Sequence, residues 1–394
     1  MALPKRAQAQ QQGRHAIRIG VLNDQTGPFK DLGGMGSVAA VRQAVRDFGD
    51  HGFAVDVVFA DHQNKPDVGV AIARQWCDQG GVDMLTDLPN SSVALAVNTV
   101  TRDKDKVLVT SAAATTSLTG EQCTPNTVQW TFDTYMLSKA EGTAIVGQGG
   151  DKWYILYADY VFGQQLARDT GRFVAAAGGK VMGSAAYPFP GTTDFSGFLL
   201  QAQASGATVL GLASTGADLI NCIKQAHEFG LTSAMRITAL EMFITDVHAV
   251  GLEQAQGIVF CSPFYWDRNE RTRAFTQRLL RDQDPPNHPT MVHAGCYAGT
   301  LHYLKAVAAI GAERAKADGA AVVAQMKAMP CDDDAFGPAT IREDGRYMCD
   351  AYLFQVKSPA ESKAPWDYYK LLSSLPKEQI WRPLSEGGCP LIKA

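Results

Sequence analysis

The sequence has no run of lysine and arginine, and no apolar stretch approaches the ~20 residues that a membrane-spanning helix needs. Charged residues are sparse, 19% of 394, and they balance to a net charge of −4. That composition argues against nucleic acid or an anionic membrane surface as a partner. Cysteine occurs eight times, but never as C-x-x-C and never with the spacing of a zinc site. A G-x-S-x-G elbow and a Walker loop are both missing. His288, His293 and Cys296 are near neighbours but do not form a recognised ligand set. Asp332-Asp333-Asp334 lacks the glycine and glutamate of a calcium loop and reads as a solvated acidic turn. No nucleophile, base and orienting group occur together, so the expectation is a non-enzyme with no cofactor and no metal.

What is present is the pattern of an ordinary globular chain, 46% apolar and long enough for about two domains. Residues 17–22 (IRIGVL), 53–60, 82–85 and 106–110 read as buried strands, with helical periodicity between them. Gly34-Met35-Gly36 fits part of a dinucleotide fingerprint, but residues 23–32 intervene after the strand, which removes a nucleotide reading. The alternation restarts at Trp153. Strands are expected at 153–158, 180–182, 208–213, 236–240 and 257–261, with helices between the first four. Alternation of this kind predicts a doubly wound parallel sheet, here in two α/β lobes of similar size. The tail departs from it. Helices are expected at 271–281, 291–310 and 320–329 and strands at 339–342 and 349–356, followed by a weakly periodic extension over 357–383.

The stretch 82–120 organises the rest. Two successive strands end in turns of small, hydroxyl-bearing residues: Leu88-Pro89-Asn90-Ser91-Ser92, then Ser111 to Thr116. Ligands bind at the carboxyl ends of the strands in an open α/β sheet. A helix start there offers free N–H groups and a positive dipole end to a carboxylate. Asn90 and Ser91 are therefore candidates both for a helix cap and for a ligand site. Tyr160 and Phe162 follow one later strand, and Phe264-Tyr265-Trp266 follow another; they read either as pocket walls or as core. Glu241 follows the strand RITAL and reads as a ligand partner or a loop residue.

At the N-terminus, Ala7-Gln8-Ala9 has the small-x-small form of a signal-peptidase site, so residues 1–15 are expected to be a signal-peptide remnant or tail. Cys222 and Cys261 sit in apolar stretches and read as buried thiols. Cys123 and Cys389 lie in polar, proline-containing loops and are better bridge candidates, although spacing does not give connectivity.

Taken together, the segments IGVLNDQTGPF (19–29), TSAAATTSLTG (110–120), ADYVFGQQL (158–166), DFSGFLLQAQASGA (194–207), IKQAHEFG (223–230) and WDYYKL (366–371) resemble the type I periplasmic solute-binding proteins of ABC importers. The group is the Leu/Ile/Val-binding family, in its aromatic-acid branch. The resemblance implies lobe I from 16–131 and 263–337, and lobe II from 132–262 and 338–394 with its C-terminal extension. The two would close on a ligand by a hinge. It implies a ligand site of Asn90, Ser91, Ala113 and Thr115 on lobe I, and of Tyr160, Phe162, Gly216, Glu241 and Tyr265 on lobe II. The amino-acid binders carry tyrosine at the position of Gly216, which weakens an amino-group clamp. Glu241 falls near their ammonium-binding carboxylate, which keeps an amino acid open as ligand. Their small disulfide has no counterpart at Leu88-Pro89, and a Cys123–Cys389 bridge is expected instead. The implied function is a periplasmic, monomeric protein that captures a small carboxylate, aromatic or otherwise apolar, for an inner-membrane permease. The alternatives are a branched-chain or other hydrophobic amino-acid binder and an amide or ligand sensor on the same fold.

Overall fold

The computed structural model describes residues 16–281 and 286–393. The expected signal-peptide remnant lies outside the described residues.

The chain first builds a five-stranded parallel sheet in the order β2-β1-β3-β4-β5. Its strands are β1 (Ala16–Asn23), β2 (Ala54–Asp61), β3 (Met84–Asp87), β4 (Val107–Thr110) and β5 (Thr127–Gln129). Helices α1 (Gly34–Phe48), α2 (Pro66–Asp78) and α3 (Ser91–Asp103) make the crossovers. Every residue of β3 and β4 is buried, as expected of strands covered by helices on both faces.

Helix α4 (Thr134–Gly147) leads into a second parallel sheet, order β7-β6-β8-β9. It holds β6 (Lys152–Ala158), β7 (Lys180–Tyr187), β8 (Val209–Ala213) and β9 (Arg236–Ala239), joined by α5 (Val161–Ala176), α6 (Ser196–Ala204) and α7 (Gly216–Glu228). Two short helices follow, α8 (Ile244–Val250) and α9 (Leu252–Ala255). The two lobes are thus parallel-sheet units of the same design, in agreement with the fold read from the sequence.

After β10 (Val259–Ser262) the chain returns to the first lobe with α10 (Glu270–Leu280), α11 (Met291–Ile310), α12 (Ala312–Ala317) and α13 (Gly319–Ala328). Helix α11 is apolar on nearly all faces and is accordingly buried along most of its length. Its start is held by Thr290, whose hydroxyl accepts the N–H groups of Val292 and His293 at 3.2 and 3.3 Å. The pair β11 (Thr340–Ile341) and β12 (Tyr347–Met348) lies beside β5, through a bridge between Gln129 and Arg346. Strands β13 (Ala351–Val356) and β14 (Tyr369–Leu375) then join β10 in an antiparallel sheet on the second lobe.

Two differences from the sequence reading have physical causes. Strand β7 runs to Tyr187, not to 182, because its exposed edge carries the small residues Gly183, Ser184, Ala185 and Ala186, which weaken the apolar signal. Strand β14 lies inside the stretch read as an aperiodic extension; it too is an edge strand, with most of its residues exposed. The chain end reaches back to the first lobe, where the Cys123–Cys389 pairing was expected. Past α14 (Lys377–Ile380), Arg382 donates to the Thr116 carbonyl at 3.0 Å, and Cys389 is bonded to Cys123, with the Cα atoms 5.6 Å apart. Among the described residues no helix is long and apolar enough to cross a membrane.

Candidate ligand site between the lobes

On the first lobe, β3 ends in two consecutive left-handed residues, Asp87 (φ 83°) and Leu88 (φ 56°). Non-glycine residues seldom adopt this conformation, and strain of this kind clusters at functional sites. It swings the chain to Asn90, the cap of α3. The Asn90 side-chain oxygen accepts the N–H groups of Ser92 at 2.9 Å and Val93 at 3.2 Å. Asn90 therefore acts as a cap. The Ser91 hydroxyl is buried and has no hydrogen-bond partner among the described residues.

The second turn is tied to the first. The Asp87 carbonyl accepts the N–H groups of Ser111 at 3.2 Å and Ala112 at 3.4 Å. Gln129 on β5 donates its amide to the carbonyls of Ala113 at 2.8 Å and Thr115 at 3.0 Å. Those carbonyls are thereby engaged from behind. The Thr115 hydroxyl accepts from Ser117 N at 3.3 Å and keeps its own proton to donate. Hydroxyls and turn N–H groups, with the start of α3 beside them, make a donor surface suited to a carboxylate.

The other expected site residues lie on the second lobe. Tyr160 stands at the cap of α5 and stacks on Phe189 with ring centroids 4.5 Å apart, while Phe162 is tilted against it at 5.8 Å. Burial raises the Tyr160 phenol well above its ordinary pKa, with Glu241 and Asp218 adding to the effect. Glu241 follows β9, is only 3% exposed, and makes no hydrogen bond or ion pair within the described residues. Burial pushes its pKa well above the usual carboxylate range, and nearby Asp246 pushes it further. A buried carboxyl without a partner is costly unless it is protonated or meets a cation.

Two other residues expected at the site have different surroundings. Gly216 starts α7 with φ 61°, and its backbone faces Pro28 of the first lobe. Tyr265 is packed against Tyr369 at 4.7 Å, and its hydroxyl donates to the Trp366 carbonyl at 3.3 Å, which makes it part of the second lobe's aromatic packing. Several residues at the cleft carried no sequence signal: Gln165, Phe29, Phe189 and the buried acids Asp218 and Asp246. Burial raises Asp218 to about 6 and Asp246 to about 7. Phe189, an aromatic between two prolines just after a strand, is the one that loop composition could have shown.

The two parallel-sheet lobes meet where Gln165 bonds the turn that carries Thr115 and where Phe29 stacks on Phe189, beside Tyr160. The chain belongs to the periplasmic binding protein family, whose model matches residues 16–363. It is 44% identical to a periplasmic binding protein from Burkholderia mallei, covering 96% of this chain and 100% of that one, with a TM-score of 0.92. A branched chain amino acid ABC transporter periplasmic ligand-binding protein from Burkholderia xenovorans is 38% identical over 95% of this chain and 99% of its own, with a TM-score of 0.83. An ABC transporter solute-binding protein from R. palustris, in complex with 4-hydroxybenzoate, shares the fold at 21% identity and a TM-score of 0.83, over 93% of this chain and 98% of that one. No curated protein matches the sequence.

Proposed function

We propose that this protein captures a small apolar amino acid between its lobes and delivers it to an ABC permease, without catalysing a reaction. The ligand carboxylate would sit on the Ser91 hydroxyl at the start of α3 and on the Thr115 hydroxyl in the turn after β4. Its side chain would lie against Tyr160 and Phe162, and its ammonium would face Glu241. The observation that carries this reading is Glu241, a buried carboxyl with no hydrogen bond or ion pair among the described residues. An ammonium group would turn that desolvation cost into a charge-assisted contact. The 38%-identical relative, described as a branched-chain amino-acid ligand-binding protein, supports the same class. Closure follows because the ligand has contacts on both lobes only in the closed state. Export to the periplasm is proposed with it, on family membership.

A second reading rests on the ring stack of Tyr160 and Phe189, which suits a flat aromatic acid. Glu241 would then stay protonated in the closed state. A thermal-shift panel of leucine, valine, benzoate, 4-hydroxybenzoate and simple amides separates the two, because a ligand that binds only the folded form raises the melting temperature. A shift with leucine or valine supports the amino-acid reading. A shift with the aromatic acids alone replaces it with the second.

A further inference from the structure

The turn after β1 is built by one buried side chain. Asp24 accepts the N–H of Gly27 at 2.7 Å and of Phe29 at 2.8 Å, and Asn64 donates to it at 2.7 Å. Asp24 is fully buried, so the turn is held as a rigid part of the first lobe. It presents two groups to the second lobe. The Pro28 carbonyl accepts the N–H of Ala217 at 3.2 Å. The Phe29 ring stacks on Phe189 with centroids 5.4 Å apart and planes 18° from parallel. Phe189 in turn stacks on Tyr160, again 18° from parallel. Three rings therefore run in series from the first lobe to the ligand wall of the second.

Gly216 is what lets the turn dock. Its φ of 61° suits glycine, and a Cβ there would lie 2.4 Å from the Pro28 oxygen. The atom it would meet is backbone in a turn pinned by Asp24, so it has nowhere to move. Any side chain at 216 is incompatible with this seating of the turn.

We propose that Pro28 and Phe29 form a latch that seats the first lobe on Gly216, Ala217 and Phe189, and that Phe29 and Gly216 are positioning residues which set ligand retention through Tyr160 without touching the ligand. The latch rests on the reading of the cleft as a ligand clamp. It places closing energy in protein–protein contacts, so it acts on the release rate and on the degree of closure rather than on the chemistry of recognition.

The test compares wild type with Gly216→Ala, Phe29→Ala, Phe189→Ala and Phe189→Tyr. L-leucine is the probe, followed by small-angle scattering and stopped-flow dissociation, and hydrogen exchange of the peptide around Ala217 is measured without ligand. Gly216→Ala is expected to lose ligand-induced compaction and to bind about tenfold or more weakly, since apparent affinity falls with the closed fraction. Phe29→Ala and Phe189→Ala should each speed release several-fold, their effects should not be additive because the rings are in contact, and Phe189→Tyr should restore slow release. Faster exchange at Ala217 in Gly216→Ala supports the latch even if leucine fails to bind wild type, an outcome that would sink the amino-acid reading alone. Wild-type compaction and release in Gly216→Ala, or strictly additive ring deletions, would overturn the latch. If leucine does not bind, unchanged exchange at Ala217 would do the same.

Discussion

Gln165 of α5 accepts the N–H of Thr116 through its side-chain oxygen at 3.2 Å, and its amide donates to the Ser117 hydroxyl at 3.0 Å. One side chain of the second lobe thus grips the turn that carries Thr115. Both bonds join opposite lobes, so both break when the lobes part. Gln165→Leu removes them at a cost of about 1–3 kcal/mol to the closed state. The expected result is weaker ligand binding by calorimetry, with the ligand-free melting temperature nearly unchanged. A large drop in melting temperature at constant affinity would instead make Gln165 a residue of the fold.

Asn90 and Ser91 are adjacent but should fail differently. Asn90 caps α3, so Asn90→Ala should cost about 1 kcal/mol of folding stability in urea titration. Ser91 has an unpartnered buried hydroxyl. Ser91→Ala should leave urea stability unchanged within error and weaken ligand binding by about 1.5–3 kcal/mol, the range for a hydrogen bond to a charged group. Thr115→Val should behave like Ser91→Ala. Unchanged affinity in either would remove that residue from the carboxylate site.

Asp87 predicts a pH effect that is independent of ligand. Its carboxyl is buried in the first lobe, where Asn23 donates to it at 2.9 Å, and burial raises it from 3.8 to about 6. A raised acid holds its proton better when folded. Its stabilising contribution is therefore complete below pH ~4 and is lost as pH rises through ~6. The Asp87→Asn variant should show a flatter fall in unfolding free energy between those two values than wild type. An identical pH profile in the two proteins would mean that folding does not raise the Asp87 pKa.

The chain end is fastened across the lobes. Strand β14 belongs to the second lobe, Arg172 of α5 pairs with Glu386 at 2.8 Å, and Cys389 is bonded to Cys123 beside the first lobe's ligand turn. Constraining a loop this long stabilises mainly by limiting the unfolded chain, typically by about 2–4 kcal/mol. A Cys123→Ser/Cys389→Ser double variant should therefore melt several degrees lower. It should also exchange amide hydrogens faster over residues 116–123 than over β1. A uniform change across both would leave the bridge with a global role only.

Much of the architecture was legible because periodicity is local. Helix α11 occupies the very stretch 291–310 that its apolar run predicts, and the strand–helix alternation gave both parallel sheets. The weak spots were edge strands β7 and β14, where exposure dilutes the apolar signal. For the candidate site, composition pointed to the two hydroxyl-rich turns, while it left Tyr160 and Phe162 open between pocket wall and core and Glu241 between ligand partner and loop residue; the resemblance alone grouped them. Composition did not separate Asn90 from Ser91, because cap and ligand roles differ only in where one oxygen points. Gln165 and Phe29 were silent for another reason. Each acts through a partner in the opposite lobe, and pairing across a cleft leaves no pattern along the chain. The same holds for Gly216, whose meaning depends on the Pro28 carbonyl.

The most direct test of the account is calorimetric titration of L-leucine and of 4-hydroxybenzoate into wild type and Glu241→Gln, repeated at neutral pH in buffers of different ionisation enthalpy. Burial raises the Glu241 pKa well above the usual carboxylate range, and on the proposed account opening the lobes would expose it and return it toward an ordinary, ionised carboxylate. A zwitterion supplies the ammonium that keeps Glu241 ionised, so leucine should bind without net proton uptake at that site. The Glu241→Gln change should then weaken leucine severely, since it leaves a buried ammonium without its charge partner. Binding of 4-hydroxybenzoate alone, with uptake of about one proton that disappears in Glu241→Gln, would contradict the account and make this a carrier of aromatic acids.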